Sequence, residues 1–366
     1  MKILYLTPTV NDEGGVARVL SIKTNYLIEK YKYQIEIITQ NQDENPCFFE
    51  FNSAIKLHNI PRSNGKLQNY ISYRKQLNKL IPEIKPDFIV VCDFGYKGFL
   101  APFLIATKIP IFFEAHGSLY NESELLNDNF VIRFGQKLKY ILRSFCAKKF
   151  DAFIVLSKES LQEWNVKNSF VIPNPNWITT QNSASLNSKK VIIVARHSYE
   201  KGLDRLFQIW KKVSVSNPDW VLEIYGKKSE VIDLQMLANK LNISSSVSFF
   251  EPQKDIVERY LDASIYVMTS RSEGFPMVLI EAMSCGLPVV AFDCPIGPRA
   301  IIDSNKNGFL IQDGNLNDFA EKLELLMQNA SERTKMGACA KESVSKYNVD
   351  VIMGQWNNLF QNYQKH

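Results

Sequence analysis

No run of about 20 apolar residues exists in this chain, so a membrane-spanning helix is not expected. Its most apolar stretch, GFLAPFLIATKIPIFF (98–113), is cut by Lys108 and two prolines. The six cysteines (Cys47, Cys92, Cys146, Cys285, Cys294, Cys339) show neither a C-x-x-C pair nor metal-ligand spacing. That scatter argues against a disulfide framework and for reduced thiols in a cytosolic protein. The start, MKILYLTPTV, holds one lysine and a short apolar run broken by Pro8 and NDEGG. It reads as a buried first strand and not as a secretory leader. No internal repeat or low-complexity tract is present, and 45% hydrophobic with 12% aromatic content argues against global disorder.

At 366 residues the chain is too long for one comfortable core, and two domains are expected. Short apolar runs alternate with helix-length spacers: ILYLTPTV, QIEIITQ, DFIVVCD, IPIFFEA, AFIVLS and FVIPN, then VIIVAR, VLEIYG, VSFF, IYVMTS, PVVAFD and GFLI. Apolar on both faces, these are expected to be parallel strands of an α/β protein built as two Rossmann-like units in tandem. Residues 175–190, polar and rich in Ser and Asn, are the best linker candidate. The expected division is 1–176, with 347–366 packing back on it, and 177–346. No G-x-G-x-x-G follows the first strand of either unit, which disfavours a nicotinamide enzyme.

The net charge of +5 is all N-terminal: residues 1–178 carry 22 Lys and Arg against 17 Asp and Glu. The surplus concentrates in residues 56–85 (seven basic, one acidic) and 129–150 (six basic, none acidic). A solvated helix face is one explanation; a surface facing anionic lipid or a phosphorylated ligand is the other.

Residues 270–295, SRSEGFPMVLIEAMSCGLPVVAFDCP, hold two glutamates eight positions apart. A strand ending at Ser270, a loop, Pro276 at the first helical position and a stop at Gly286-Leu-Pro predict a helix over 276–285. Its start at the carboxyl end of a parallel strand offers free amides and a positive dipole end, which suit a phosphate. Gly274 lets that backbone approach a ligand, and Glu273 can accept hydrogen bonds from hydroxyls beyond the phosphate. Glu281 lies roughly 7 Å further along the helix, where it meets a different part of an elongated ligand. A helix-dipole carboxylate and a solvent-facing helix residue are the plain alternatives. For Glu281 the apolar neighbours Leu279, Ile280, Ala282 and Met283 weigh against that, because a buried carboxylate needs a partner.

Glu273-Gly-Phe-Pro, then Glu281 and EAMSCGLPVVAFD, resembles the signature of the retaining, metal-independent GT-B glycosyltransferases of family 4, and the resemblance covers nearly the whole chain. It implies two Rossmann-like domains facing across a cleft, the N-terminal one on the acceptor side and the C-terminal one binding a nucleotide-sugar, with the C-terminal helix crossing back. NDEGGVARV resembles the family's first glycine loop, whose Gly14 and Gly15 backbone approaches the donor; a tight turn opening a helix over 16–31 is the plain reading. FEAHGS places His116 where the family often has a histidine near the transferred sugar. VARHSYEKGLDRL resembles the segment whose Arg196 and Lys201 reach the diphosphate, neutralising the leaving group's charge as a metal would. The base-binding region is expected around Tyr225, Gly226, Glu251 and Pro252, and the donor's diphosphate beside the backbone of Phe275, Pro276, Met277 and Val278. In FDCPIGPRAII, Ala300 stands where polysaccharide-building members usually have an acidic residue. No D-x-D occurs, which argues against metal-dependent transferases.

The resemblance thus implies transfer of a hexose or N-acetylhexosamine from a UDP-sugar, with no metal or other cofactor, to a hydroxyl of a glycan or undecaprenyl-linked acceptor in bacterial surface polysaccharide synthesis. A cytoplasmic protein is expected, with no nucleic-acid partner. Glu273 would orient sugar hydroxyls and Glu281 would grip the ribose. An epimerase, an inverting GT-B transferase or a silent nucleotide-sugar binder would use the same architecture. In residues 129–150, Val131, Phe134, Leu138, Ile141, Leu142 and Phe145 form a helical stripe with Arg133, Lys137, Lys139 and Arg143 off it. Such a helix either packs on its sheet as usual or rests on an anionic membrane surface, making the protein peripheral on the inner face of the cell membrane.

Overall fold

Runs such as FIVV and AFIV are buried along their length, and KILYL is buried beyond its first residue, as strands covered by helices on both faces must be. In the computed structural model, which describes residues 1–40, 46–119, 130–229 and 231–364 (side chains of 130–133 excepted), these runs form two all-parallel sheets. The first comprises β1 (Lys2–Leu6), β2 (Gln34–Thr39), β3 (Lys56–Asn59), β4 (Phe88–Val91), β5 (Ile111–Ala115), β6 (Ala152–Val155) and β7 (Ser169–Val171). Its order is β3-β2-β1-β4-β5-β6-β7. The second comprises β8 (Lys190–Val194), β9 (Val221–Tyr225), β10 (Val247–Phe250), β11 (Ile265–Met268), β12 (Val289–Asp293) and β13 (Gly308–Gln312), in the order β10-β9-β8-β11-β12-β13. Each order reverses direction once, between β1 and β4 and between β8 and β11. Loops leaving the carboxyl ends of strands on either side of such a point diverge and leave a crevice.

Among the described residues the sheets belong to two compact units, one of residues 1–119, 130–175 and 349–364, the other of residues 176–348. In the first, the helix Val349–Gln364 buries Ile352, Met353, Trp356, Leu359 and Phe360. Phe360 stacks on Phe112 of β5, centroids 5.9 Å apart and planes within 5°. In the second, the helix Leu203–Ser216 presents Leu206, Phe207, Ile209, Trp210 and Val213 to the sheet.

Residues 175–190 begin where the chain passes from one compact unit to the other, as expected of a linker, and they are packed down: Ile178, Ala184 and Leu186 are buried. The backbone there is satisfied by Arg333, which donates to Leu186 O, by Lys341, which donates to Gln181 O and Asn182 O, and by Cys285 O, which accepts from Ala184 N. A few apolar side chains suffice to hold a polar strap down when its carbonyls find cationic donors. One reading of the sequence needs correction: Pro276 is not inside the helix; it caps Met277–Ser284, which begins one residue later. All six cysteines are free. No helix of the described residues is long and apolar enough to cross a membrane.

Candidate functional site

In the second unit, the loops after β8 and β11 interlock at the point where the strand order reverses. Gly202 sits at φ +63°, where a Cβ would lie 2.1 Å from Thr269 O, so only glycine lets the two backbones meet. Thr269 Oγ1 donates to Lys201 O at 3.2 Å, and Arg271 N donates to Glu200 O at 2.7 Å. The Arg271 guanidinium grips the Asp204 carboxylate with both nitrogens, at 2.8 and 2.6 Å. Burial works to raise the Asp204 pKa, but the charge-assisted bonds from Arg271 outweigh it and hold the group below the usual carboxylate range. Lys201 Nζ emerges from this frame 2.7 Å from Glu273 Oε1, the pair being largely sheltered from water. Gly202→Ala is therefore expected to cost about 2–4 kcal/mol through left-handed strain and overpacking, read as a lower urea midpoint for this unit.

The helix that follows buries Leu279, Ile280, Glu281, Ala282 and Met283. Its first intrahelical bond runs from Leu279 N to Pro276 O at 3.1 Å, leaving the amides of Met277 and Val278 without acceptors in the helix. Glu281 is buried, and its carboxylate accepts from Trp177 Nε1 at 2.7 Å and from Tyr260 OH at 3.1 Å. Both partners were invisible to sequence reasoning. The apolar neighbours of Glu281 signalled a buried carboxylate, but nothing near it in the chain names its donors, which lie 104 and 21 positions away.

Arg196 leads out of β8 exposed, and its side chain makes no hydrogen bond among the described residues. The neighbouring His197 is buried against Phe249, and burial pulls its pKa below the ordinary value. Gly226 packs so closely that a Cβ would lie 2.0 Å from Ala195 O, joining the loops after β8 and β9. Tyr225, expected near the base, is a wall: its ring stacks on Phe250 at 4.6 Å and its hydroxyl donates to Glu223 at 2.9 Å. Glu251 is exposed beside Lys228 at 3.5 Å, with Pro252 next to it. Phe275 is buried edge-on to Tyr347, whose hydroxyl donates to Ala300 O at 2.9 Å.

In the first unit, Gly14 caps the helix Gly15–Tyr31, and a Cβ at Gly15 would meet nothing within 4 Å, so that backbone is open to close approach. His116, after β5, lies 3.6 Å from Glu114 Oε1, while Lys23 Nζ lies 2.5 Å from Glu114 Oε2. Burial alone would raise the Glu114 pKa; Lys23 and His116 overcome it and hold the group far below the carboxylate range. The ligand atoms of Cys92, Glu114 and His116 lie within 4.8 Å of one another, a set that could hold a metal ion, although the Lys23 ammonium already neutralises the carboxylate. Lys23 was missed, though a lysine flanked by Leu20, Thr24 and Leu27 on an apolar helix face was a readable signal.

Two parallel doubly wound units, with candidate groups on the loops at strand carboxyl ends, define an α/β protein of the class that binds its ligands at those ends. The sequence family "Glycosyltransferase Family 4" matches residues 13–175 and "Glycosyl transferases group 1" matches residues 178–343. A glycosyltransferase of Haemophilus influenzae is 29% identical over 98% of this chain and 99% of its own length. The poly(ribitol-phosphate) alpha-N-acetylglucosaminyltransferase of Staphylococcus aureus is 31% identical over 92% of this chain and 72% of its own. A TarM variant from S. aureus, solved with fondaparinux, α-GlcNAc-glycerol and UDP, superposes at a TM-score of 0.79, with 18% identity and coverage of 98% and 100%. The chain belongs to the GT-B glycosyltransferases.

Proposed function

We propose that this glycosyltransferase moves a hexose or N-acetylhexosamine from a UDP-sugar to a hydroxyl of a glycan acceptor, with retention of configuration and without a metal. The observation that carries this reading is the Lys201–Glu273 pair, held 2.7 Å apart just ahead of the helix Met277–Ser284, with Arg196 exposed on the same loop as Lys201. Lys201, Arg196 and the amides of Phe275, Met277 and Val278 would take up the charge that develops on the departing diphosphate. Gly274 and Gly15 would let backbone approach the donor, while Glu273 both orients sugar hydroxyls and steadies Lys201. Glu281, fixed by Trp177 and Tyr260, would present its remaining lone pairs to the ribose diol. His116, steadied by Glu114, is assigned to the sugar.

UDP in the TarM structure and the α-linked sugar transferred by the poly(ribitol-phosphate) relative support the donor class and the retained configuration. The acceptor hydroxyl would attack on the face the leaving phosphate departs from, handing its proton to that phosphate, with no covalent sugar–enzyme intermediate. A lipid-linked glycan acceptor at the cytoplasmic side follows from the same reading.

The test is UDP release from a panel of UDP-sugars by the purified chain, with the anomeric configuration of the product read by NMR and the assay repeated after chelation. A β-linked product from an α-linked donor would overturn retention, and loss of turnover that only added metal restores would overturn metal independence. An epimerase would alter the donor and release no UDP. Glu281→Gln is expected to raise KM for the donor about tenfold or more, as the loss of one charge-assisted ribose contact would.

A further inference from the structure

We infer that Lys23 is a positioning residue of the site: acting through the Glu114 carboxylate, it fixes which nitrogen of the His116 ring carries the proton. The inference rests on the reading above that His116 serves the transferred sugar. Glu114 lies in β5 and His116 just beyond its end, so strand alternation turns both side chains to one face. Lys23 comes from the helix Gly15–Tyr31, and its ammonium reaches Glu114 Oε2 at 2.5 Å, where Cys92 Sγ also donates at 3.4 Å. Oε1 is thereby left to face His116 Nε2 at 3.6 Å. The side chains of Lys23 and Glu114 are only 1 and 2% exposed. Two rings close around the ammonium: Trp356 of the helix Val349–Gln364, 3.7 Å from Nζ, and Tyr5 of β1, 5.9 Å from it.

An ion pair this dry is a poor way to stabilise a core. Desolvating two charges consumes much of what their attraction returns, and a well-packed neutral pair of similar volume is often as good or better. What the pair does supply is a carboxylate that stays ionised away from water, since Lys23 and His116 hold Glu114 far below the usual carboxylate range. An ionised carboxylate has lone pairs and no proton to give. Nε2 is therefore the donor toward Oε1, and in the neutral ring Nδ1 is left as an acceptor, open to the proton of a sugar hydroxyl. Were Glu114 neutral, its own hydroxyl could donate to Nε2 and the ring proton would move to Nδ1, turning that acceptor into a donor. The ammonium itself is too deeply buried to touch a ligand, so its effect on transfer passes through Glu114 and His116.

The ring tautomer is read by nitrogen-15 NMR of the full chain with labelled histidine, the His116 signals being picked out from those of the four histidines by their loss in His116→Asn. The parent is expected to carry the proton on Nε2; a proton on Nδ1 overturns the inference, and this measurement needs no variant of Lys23. The neutral pair Lys23→Met/Glu114→Gln keeps the volumes and strands no charge, so its urea midpoint should stay close to the parent's. Its amide can turn either end to Nε2, so the single tautomer should give way to a mixture. With the ring no longer fixed, kcat should fall about 10–100-fold while UDP affinity by calorimetry is unchanged. An unchanged tautomer or a parent-like kcat in the folded pair variant would reduce Lys23 to a structural part and overturn the inference. The tautomers are measured without substrate, so a parent that transfers no sugar would count against the proposed function and not against this inference.

Discussion

Lys201→Ala is expected to lower kcat/KM for sugar transfer by about 10²–10³-fold, the scale on which a single donor to a developing oxyanion acts in a preorganised site. Removing the ammonium also leaves Glu273 without the cation it faces at 2.7 Å. The two effects can be separated. If Lys201 serves the leaving phosphate, Lys201→Arg should recover part of kcat, because a guanidinium restores the charge though not the geometry. If Lys201 only steadies Glu273, the double variant Lys201→Ala/Glu273→Gln should be no worse than Lys201→Ala alone. Stability should change little, since Lys201 is partly exposed and the frame formed by Gly202, Thr269, Arg271 and Asp204 does not use its side chain. Steady-state kinetics beside UDP titration calorimetry reads all of this. Wild-type turnover in Lys201→Ala would remove the assignment on which the proposed function rests.

A second large effect is expected from Lys23→Ala, this time on stability. Lys23 and Glu114 are both essentially inaccessible, and the ammonium also sits 3.7 Å over the Trp356 ring. Taking away one partner of a buried ion pair strands the other charge, at a cost of about 3–5 kcal/mol. Urea unfolding of the first unit should show that loss. The sign of its pH dependence is diagnostic. In the parent, Glu114 has a depressed pKa, so its contribution is present above the unfolded carboxylate range and is lost only as pH falls through the much lower folded value. Without Lys23, only His116 still opposes burial, so the folded pKa is depressed less than in the parent. The variant's Glu114 then contributes less stability above the unfolded carboxylate range than the parent's does. The gap between parent and variant should shrink as pH falls; a gap independent of pH would mean that Glu114 is not the group left stranded.

The sequence was most informative where burial imposes a pattern. Runs such as VIIVAR and PVVAFD became β8 and β12, because a parallel strand sandwiched between helices must be apolar on both faces. The edge strand β3 was missed for the opposite reason: Lys56, Leu57 and Asn59 are exposed and Lys-Leu-His-Asn has no apolar run to read. The helix after Glu273 was readable to within one residue, since Pro276 and Gly286 mark both its ends. The amphipathic stripe of residues 129–150 was equally plain, yet periodicity cannot say which way a stripe points. Only the tertiary structure turned Phe134, Leu138 and Ile141 outward, because Tyr140, Cys146 and Ala147 on the other side already fill the place against the core.

By itself, then, the chain's order of residues determined two doubly wound units and the loops on which chemistry would be carried, since both follow from local pattern and from the chemistry of turns. The pairing of those loops was decided in three dimensions. Glu281 meets Trp177 and Tyr260, Asp204 meets Arg271, and Glu114 meets Lys23 across 91 positions, and none of these contacts leaves a periodic trace. Each exists because a charge or polar group carried into a dry interior must be answered by whichever donor the fold brings within reach.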